Sequence, residues 1–301
     1  MNTKQLEYVL ALSREGSFSK AADTLNITQP SLSQYIKKIE KEIGLPLFYR
    51  TNGEVKLTDA GRVYLQSGKQ ILDLEQQMNA KFHDIAEHKT GTLRIGTSPF
   101  RSASMMPIIA KYFQSLYPGM HLVIDEMETH ELIDSCEHGD FDFCLTMLPV
   151  DEKIFAYDTI MEEELVLAVP ASSNLLRTTS LPYRKYPAID ADQLNGLSFV
   201  MITESQVMQK ALNILCLNHE LNIQTAAVVK SLEAQISMVR AGVGVALVPT
   251  GIEYFCNDNE VRFYSFSQQI PKRRVVAMWR KDRYLSQAAR DLIDGIKTIN
   301  W

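Results

Sequence analysis

The chain has 301 residues, enough for two or three domains. Hydrophobic residues make up 46% and charged residues 22%, an ordinary balance for a soluble globular protein; no apolar run nears the ~18 residues of a membrane span and residues 1–16 lack a signal-peptide core, so the expected location is cytoplasmic, without membrane contact. The net charge of −5 is uneven, +2 over residues 1–58 and −7 over the remainder, which makes a small basic module suited to an anionic partner on an acidic body.

In chain order, Leu6, Val9, Leu10 and Leu12 recur at helical spacing, so residues 3–14 are expected to form a helix that Gly16 stops. Ser17 suits the N-cap of a short second helix containing Ala21, Ala22 and Leu25. Asn26 and Ile27 make a turn, and Thr28 caps a third helix ending at Gly44. Pro30 is tolerated in its first turn, where N–H groups have no intrahelical partner. Asn52-Gly53, flanked by Tyr49, Arg50, Val55 and Leu57, is a strong hairpin signal. The first 58 residues are thus expected to be three helices and a two-stranded wing.

From Asp59 to about Lys89 one long helix is expected. Ala60, Tyr64, Ser67, Ile71, Leu74, Met78, Phe82 and Ile85 step along it by four and three. A lone helix cannot bury such a stripe. Either the chain's own domains cover it or, the preferred reading, a partner helix from a second subunit does. After Thr90-Gly91 the period changes. Strands are expected at 92–98, 121–126, 141–146, 164–170, 197–203, 225–229, 245–249 and 274–280, with helices at 103–117, 129–138, 205–219, 232–241 and from 285. This alternation implies βαβ units and parallel sheets with right-handed crossovers, and its length implies two α/β lobes. The Pro-rich, basic stretch Asn174 to Asp192 reads as a long loop, functional or mobile.

The helix from Thr28 carries the functional argument. Leu32, Ile36, Ile39 and Ile43 form its inward stripe. The other side offers Thr28, Gln29, Pro30, Ser31, Ser33, Gln34 and Lys37, mostly short hydroxyls and amides of the kind that meet base edges in a DNA major groove, with Lys37 able to reach phosphate or guanine. Arg50 and Lys56 lie on the wing, where backbone phosphates or the minor groove are met. A helix that binds protein is the lesser alternative.

These motifs amount to a resemblance. GSFSKAADTLNITQPSLSQYIKKIEKEIGLPLFYRTNGEVKLTDAG, residues 16–61, is similar to the N-terminal signature of LysR-type transcriptional regulators. GTLRIGTSPFRSASMMPIIAKYFQSLYP and SLEAQISMVRAGVGVALVP are similar to segments of that family's regulatory domain. The resemblance spans essentially the whole chain. It implies an α/β multidomain protein: a winged helix-turn-helix (1–58), a dimerising linker helix (59–89) and a two-lobed effector domain like a periplasmic binding protein (90–301; lobe I about 90–161 and 267–301, lobe II about 162–266). It implies a ligand-responsive transcriptional regulator, homodimeric or homotetrameric, with a double-stranded DNA operator, RNA polymerase as a further partner, and no cofactor. The family often carries an arginine just before the wing turns back; Asn52-Gly53 stands there instead, which leaves Arg50 more of the contact.

The resemblance also places an effector between the lobes, near Ser98, Phe100, Arg101 and Ser102, then Thr129, Thr146, Thr203, Ser205 and the turn at Gly244. The residues agree in kind, because ligands of open α/β sheets sit beyond the carboxyl ends of strands. Ser98 and Thr203 precede helices whose first N–H groups suit an anion, and Arg101 adds charge, so the effector is expected to be small, polar and anionic. Taken singly, each Ser or Thr reads more readily as a simple helix cap than as a ligand contact.

Enzyme signals fail. HELID (130–134) has Asp134 where a zinc motif needs a second histidine, GVGVAL (242–247) lies in the wrong order for a dinucleotide turn, and no G-x-S-x-G occurs. Cys136, Cys144, Cys216 and Cys256 form no C-x-x-C, so no metal site or disulfide is indicated, and a redox pair of Cys136 and Cys144 is the lesser alternative to buried thiols. A solute-binding protein is disfavoured by the winged module and the missing signal sequence. An enzyme with a DNA module is disfavoured by the missing catalytic constellation.

Overall fold

A computed structural model describes the chain apart from residues 1–2, 52–53, 87–89, 174–176, 204–206, 257–258, 269 and 271, and apart from the side chains of residues 3, 50, 51, 54, 76, 83, 85, 207 and 254. Helices α1 (Thr3–Glu15), α2 (Phe18–Thr24) and α3 (Gln29–Ile43) and the hairpin β1 (Phe48–Thr51) and β2 (Glu54–Leu57) form the N-terminal head. Tyr8, Val9, Leu12, Ala21, Ala22, Leu32, Ile36, Ile39, Leu47 and Phe48 make its core. Ile43, expected to face inward, is 39% exposed, because α3 outruns the two shorter helices beneath it. Thr28 caps α3, accepting from the Ser31 N–H, and Gly44 ends it in the left-handed region at φ 81°. Ser17 occupies the N-cap position of α2, yet its side chain makes no cap bond; the turn is held by Gly16, whose carbonyl accepts the Val55 N–H from the wing at 3.2 Å. The hairpin register closes on Thr51 opposite Glu54, and the Asn52-Gly53 turn lies outside the described residues.

The long helix is α4 (Asp59–Ile85), capped by Thr58. Its expected stripe divides. Ala60 and Tyr64 pack on the head, whereas Ile71, Leu74, Met78 and Phe82 are 41%, 67%, 48% and 58% exposed. A different face of α4 docks on the rest of the chain through polar groups. Asp73 is buried and pairs with Arg280 at 3.1 Å and Arg283 at 2.8 Å. The Tyr284 N–H donates to Gln77 Oε1 at 3.1 Å, and Asp84 accepts from the Tyr284 hydroxyl at 2.7 Å and the Gln287 N–H at 2.9 Å.

The C-terminal region holds two sheets. The first has the order β4-β3-β5-β13-β6, from β3 (Gly91–Thr97), β4 (Met120–Glu126), β5 (Phe143–Met147), β6 (Phe155–Glu163) and β13 (Arg273–Arg280). Helices α5 (Pro99–Leu116) and α9 (Gln287–Ile296) cover one face through Ile109, Phe113, Leu292 and Ile293; α6 (Thr129–His138) covers the other through Leu132 and Cys136. The second sheet has the order β11-β7-β12-β8, from β7 (Leu165–Pro170), β8 (Ala188–Ile189), β11 (Ala246–Pro249) and β12 (Val261–Phe266). The parallel pair β9 (Ser198–Ile202) and β10 (Gln224–Val229) joins it by a bridge from Phe199 to Val245. Helices α7 (Val207–Asn218) and α8 (Leu232–Arg240) pack on opposite faces through Leu212 and Val239.

Two expectations need correction. The sheets are mixed, not parallel: β13 runs antiparallel to β5 and β6, and β7 runs antiparallel to β11 and β12. The reason is that the chain crosses between lobes twice, at Glu164 and over residues 267–272, and each crossing adds a strand that reverses direction. The strands that lead into the two crossings, β6 and β12, escaped the pattern reading, since FAYDTIMEE and VRFYSF interleave charged and polar residues with apolar ones. The 174–192 stretch is not an open loop throughout. Thr179 bridges to Ala188, Arg184 pairs with Glu164 at 3.1 Å, and Lys185 pairs with Glu253.

Gly139 sits where α6 meets α4. Its φ is 82°, and a Cβ there would stand 2.6 Å from the Asp73 carboxyl. Gly139→Ala should therefore cost at least about 1–2 kcal/mol from the left-handed backbone alone, and urea unfolding should also show Asp73→Asn losing stability. Equal midpoints for Gly139→Ala and the parent chain would mean that α4 does not dock on lobe I this closely.

Candidate functional site

Two regions gather the residues singled out by sequence. On the head, Thr28, Gln29, Pro30, Gln34 and Lys37 are exposed and Ser31 and Ser33 half-buried, all around one side of α3. Fifteen residues of helix span ~22 Å and fit a groove ~12 Å wide. Thr28 and Ser31 are not equal members of that face, because their hydroxyls bond each other at 2.9 Å in the cap. Lys38 and Tyr35 are also exposed there, with Tyr35 tilted on Tyr8 at 4.9 Å between ring centroids. Lys56 is exposed on β2; Arg50 lies on β1, its side chain outside the described part.

The second region is a cavity of about 80 Å³ between the lobes. Ser98, Phe100, Arg101 and Thr129 from the first lobe line it, facing Ile202, Met208, Lys230 and Ser231 from the second. Ser98 is the N-cap residue of α5, and its hydroxyl makes no cap bond. Ser231, across the cavity, does cap its helix, accepting from the Ala234 N–H at 3.2 Å. Phe100 is mainly a bridge: its ring lies 5.6 Å from that of Phe255 and belongs to the core of the second lobe.

Two of the lining residues, Arg101 and Arg273, join a buried charged cluster behind the wall. Glu163, the last residue of β6, accepts from Arg273 at 2.6 Å and Arg101 at 3.2 Å, and all three side chains are buried. Burial pushes the Glu163 carboxyl up, but the two guanidiniums outweigh it and hold it below its usual range, so it is charged at neutral pH.

The other expected effector residues fall elsewhere. Ser102 is half-buried inside α5, its N–H bonded to the Ser98 carbonyl at 2.8 Å. Thr146 is buried in β5 and alternation turns it from the cavity that its neighbour Met147 lines. The Thr203 N–H donates to the Val229 carbonyl at 3.0 Å, beside the lining residue Ile202. Ser205 lies outside the described residues. Gly244 is at the wrong end: β9, β10 and β11 run the same way, the cavity lies at their carboxyl ends, and Gly244 precedes β11, 2.5 Å from the Ser198 carbonyl were it to carry a Cβ. Sequence reading passed over Glu163, Arg273 and Lys230. The signal available was the placement of a charged residue at the mouth of a strongly apolar strand, as in EEELVLAVP and KRRVVAMW.

Cys136 and Cys144 are both buried. Burial, reinforced by the neighbouring Cys136, pushes the Cys144 thiol well above its ordinary value, which suppresses the reactive thiolate. Among the described residues no helix is long and apolar enough to cross a membrane.

Comparison with known proteins matches this geometry. The family described as "LysR substrate binding domain" matches residues 86–299, and "Bacterial regulatory helix-turn-helix protein, lysR family" matches residues 3–62. The chain is 29% identical to YwbI, an HTH-type transcriptional regulator of Bacillus subtilis (strain 168), over 100% of this chain and 97% of that one. A full-length OxyR variant from Pseudomonas aeruginosa superposes with a TM-score of 0.75 at 24% identity, covering 100% of this chain and 96% of the other. Full-length CbnR in complex with its target DNA superposes with a TM-score of 0.70 at 18% identity, covering 98% and 100%. Head, linker helix and two-lobed domain therefore belong together in one scheme, and the chain belongs to the LysR family of bacterial regulatory helix-turn-helix proteins: it is a ligand-responsive, DNA-binding transcriptional regulator and not an enzyme.

Proposed function

We propose that residues 1–58 read a double-stranded operator, that residues 59–89 join two protomers, and that residues 90–301 hold a small, polar, anionic effector between lobe I (about 90–161 and 267–301) and lobe II (about 162–266). The protein then works on the chromosome in the cytoplasm, as a homodimer or a tetramer of paired dimers, with RNA polymerase as a further partner. The observation that carries the DNA reading is the division of α3: Leu32, Ile36 and Ile39 are buried, while Ser33, Gln34 and Lys37 face outward on the opposite side. Ser33 and Gln34 have the chemistry of base readout, Lys37 and the wing residues Arg50 and Lys56 that of phosphate contact.

The effector reading rests on the cavity between the lobes. Its volume is well below the ~300–1,000 Å³ of sites for drug-sized ligands, which supports a small molecule. A ligand touching both walls favours one lobe arrangement over another, and that difference in affinity is the whole of its regulatory leverage. The dimer reading rests on Ile71, Leu74, Met78 and Phe82, which lie uncovered along the helix in the single chain.

In gel shifts with DNA flanking its own gene, Ser33→Ala and Gln34→Ala should each weaken specific binding by ~1–3 kcal/mol and leave non-specific binding near the parent value. Lys37→Ala should lower affinity for all sequences and reduce the salt slope by about one. Equal weakening of every sequence by all three substitutions would exclude base readout by α3. Leu74→Asp should abolish the dimer without unfolding the protomer, since the site is solvent-exposed in one chain. Sedimentation that finds the same oligomer before and after the change would remove α4 as the dimer seam.

A further inference from the structure

The wing is a hairpin of two four-residue strands, too small to keep an orientation by itself. Its base is the segment Pro46-Leu47-Phe48, which leads from α3 into β1. Glu40, in the last turn of α3, accepts the Leu47 N–H at 2.8 Å and the Phe48 N–H at 3.3 Å on one carboxylate oxygen. From the other side Thr58, the N-cap of α4, donates its hydroxyl to the Pro46 carbonyl at 2.6 Å and its N–H to the Leu47 carbonyl at 2.9 Å. Gly61 makes this approach possible, since a Cβ there would stand 2.1 Å from the Leu47 carbonyl. The third helix, the wing and the long helix therefore meet at one short segment of backbone.

Glu40 also stands on a particular flank of α3. Ser33, Lys37 and Glu40 follow one another at four and three positions, so they form one stripe beside the buried Leu32, Ile36 and Ile39. A carboxylate one turn from Lys37 is electrostatically wrong for a surface that meets phosphates, because it repels them. Its use is toward the protein: a charged acceptor holds backbone N–H groups more strongly and at a more definite distance than a neutral one. We propose that Glu40 is a positioning residue for DNA recognition, fixing the wing against the flank of α3 that carries Ser33 and Lys37 so that helix and wing meet the duplex as one unit. The inference rests on the reading of α3 and the wing as the DNA-contacting surfaces and adds the residue that sets one against the other.

The test is fluorescence anisotropy of the full chain on labelled double-stranded DNA flanking its own gene, followed as a function of salt. In the parent, Lys37→Ala and Lys56→Ala should each lower the salt slope by about one per half-site. Glu40→Ala should weaken binding about tenfold per half-site near 0.1 M salt, the worth of one phosphate contact. In that background Lys56→Ala should have no further effect, because the wing no longer meets the DNA backbone. Lys37→Ala should keep its full effect there, because α3 carries it. Glu40→Gln keeps an acceptor oxygen and sheds the repelling charge, so it should bind about twofold tighter than the parent and leave Lys56 its effect. Tighter binding by Glu40→Ala as well would reduce Glu40 to a repelling charge and overturn the proposal. Loss of the Lys37 and Lys56 effects together would overturn it too, since that marks a disordered head. A Lys56 effect that persists in Glu40→Ala, with both lysines active in the parent, overturns the proposal and leaves the DNA reading standing. If Glu40→Ala fails to fold, Glu40→Asp decides, because it keeps the charge but is one methylene short of the segment: an undiminished Lys56 effect in it overturns the proposal. If neither lysine matters in a parent that binds the DNA, the reading of these surfaces falls, and the proposal with it.

Discussion

The chain passes twice between its two lobes, and the buried cluster of Glu163 with Arg101 and Arg273 sits at that double crossing. The cluster ties together the two strands at the crossings and the helix that borders the cavity. Glu163 and Arg273 are neighbours across β6 and β13, the strands that leave and re-enter lobe I, and Arg101 lies in the first turn of the helix that Phe100 pins to lobe II. A dry ionic cluster is a poor source of net stability but a stringent constraint on geometry, because separating its members strands a charge in the interior. Here the constraint is placed where the angle between the lobes is set.

The linker helix presents a contrasting pair of faces. One is apolar and exposed; the other is bound to lobe I by Asp73, Gln77 and Asp84. Asp73 is held by Arg280, the last residue of β13, and by Arg283 just beyond it; the same strand begins with Arg273. A single strand therefore runs from the cavity wall to the helix that carries the head. Rigid secondary elements of this kind are one physical means by which occupancy at one site biases the arrangement of another.

The head is the part of the molecule in which local rules reach furthest, Ser17 and Ile43 excepted. Thr28 caps α3, Gly44 ends it, the stripe Leu32, Ile36 and Ile39 is buried, and the polar side is left outside, as the spacing alone required. Helices and turns answer to residues three or four positions away, so their caps, ends and inward faces are written in the local sequence.

For this protein the sequence by itself determined the three-helix head with its wing, the long helix, the βαβ character of the rest, and the family to which they add up. It did not determine strand direction, the partners of α4 or most of the cavity wall. β6 and β12 were missed because their charged and polar residues hide the strand period, and Gly244 was misplaced because it precedes β11 while the cavity lies at the carboxyl ends of the parallel strands β9, β10 and β11. Glu163 and Arg273 are 110 positions apart and acquire meaning only when β6 and β13 lie side by side. The stripe on α4 was legible, but its division into a covered end and an exposed end was decided by where the head and lobe I come to rest. Contacts local in sequence are encoded by spacing, whereas a buried charge and its partner are chosen by topology, and only the tertiary structure brings them together.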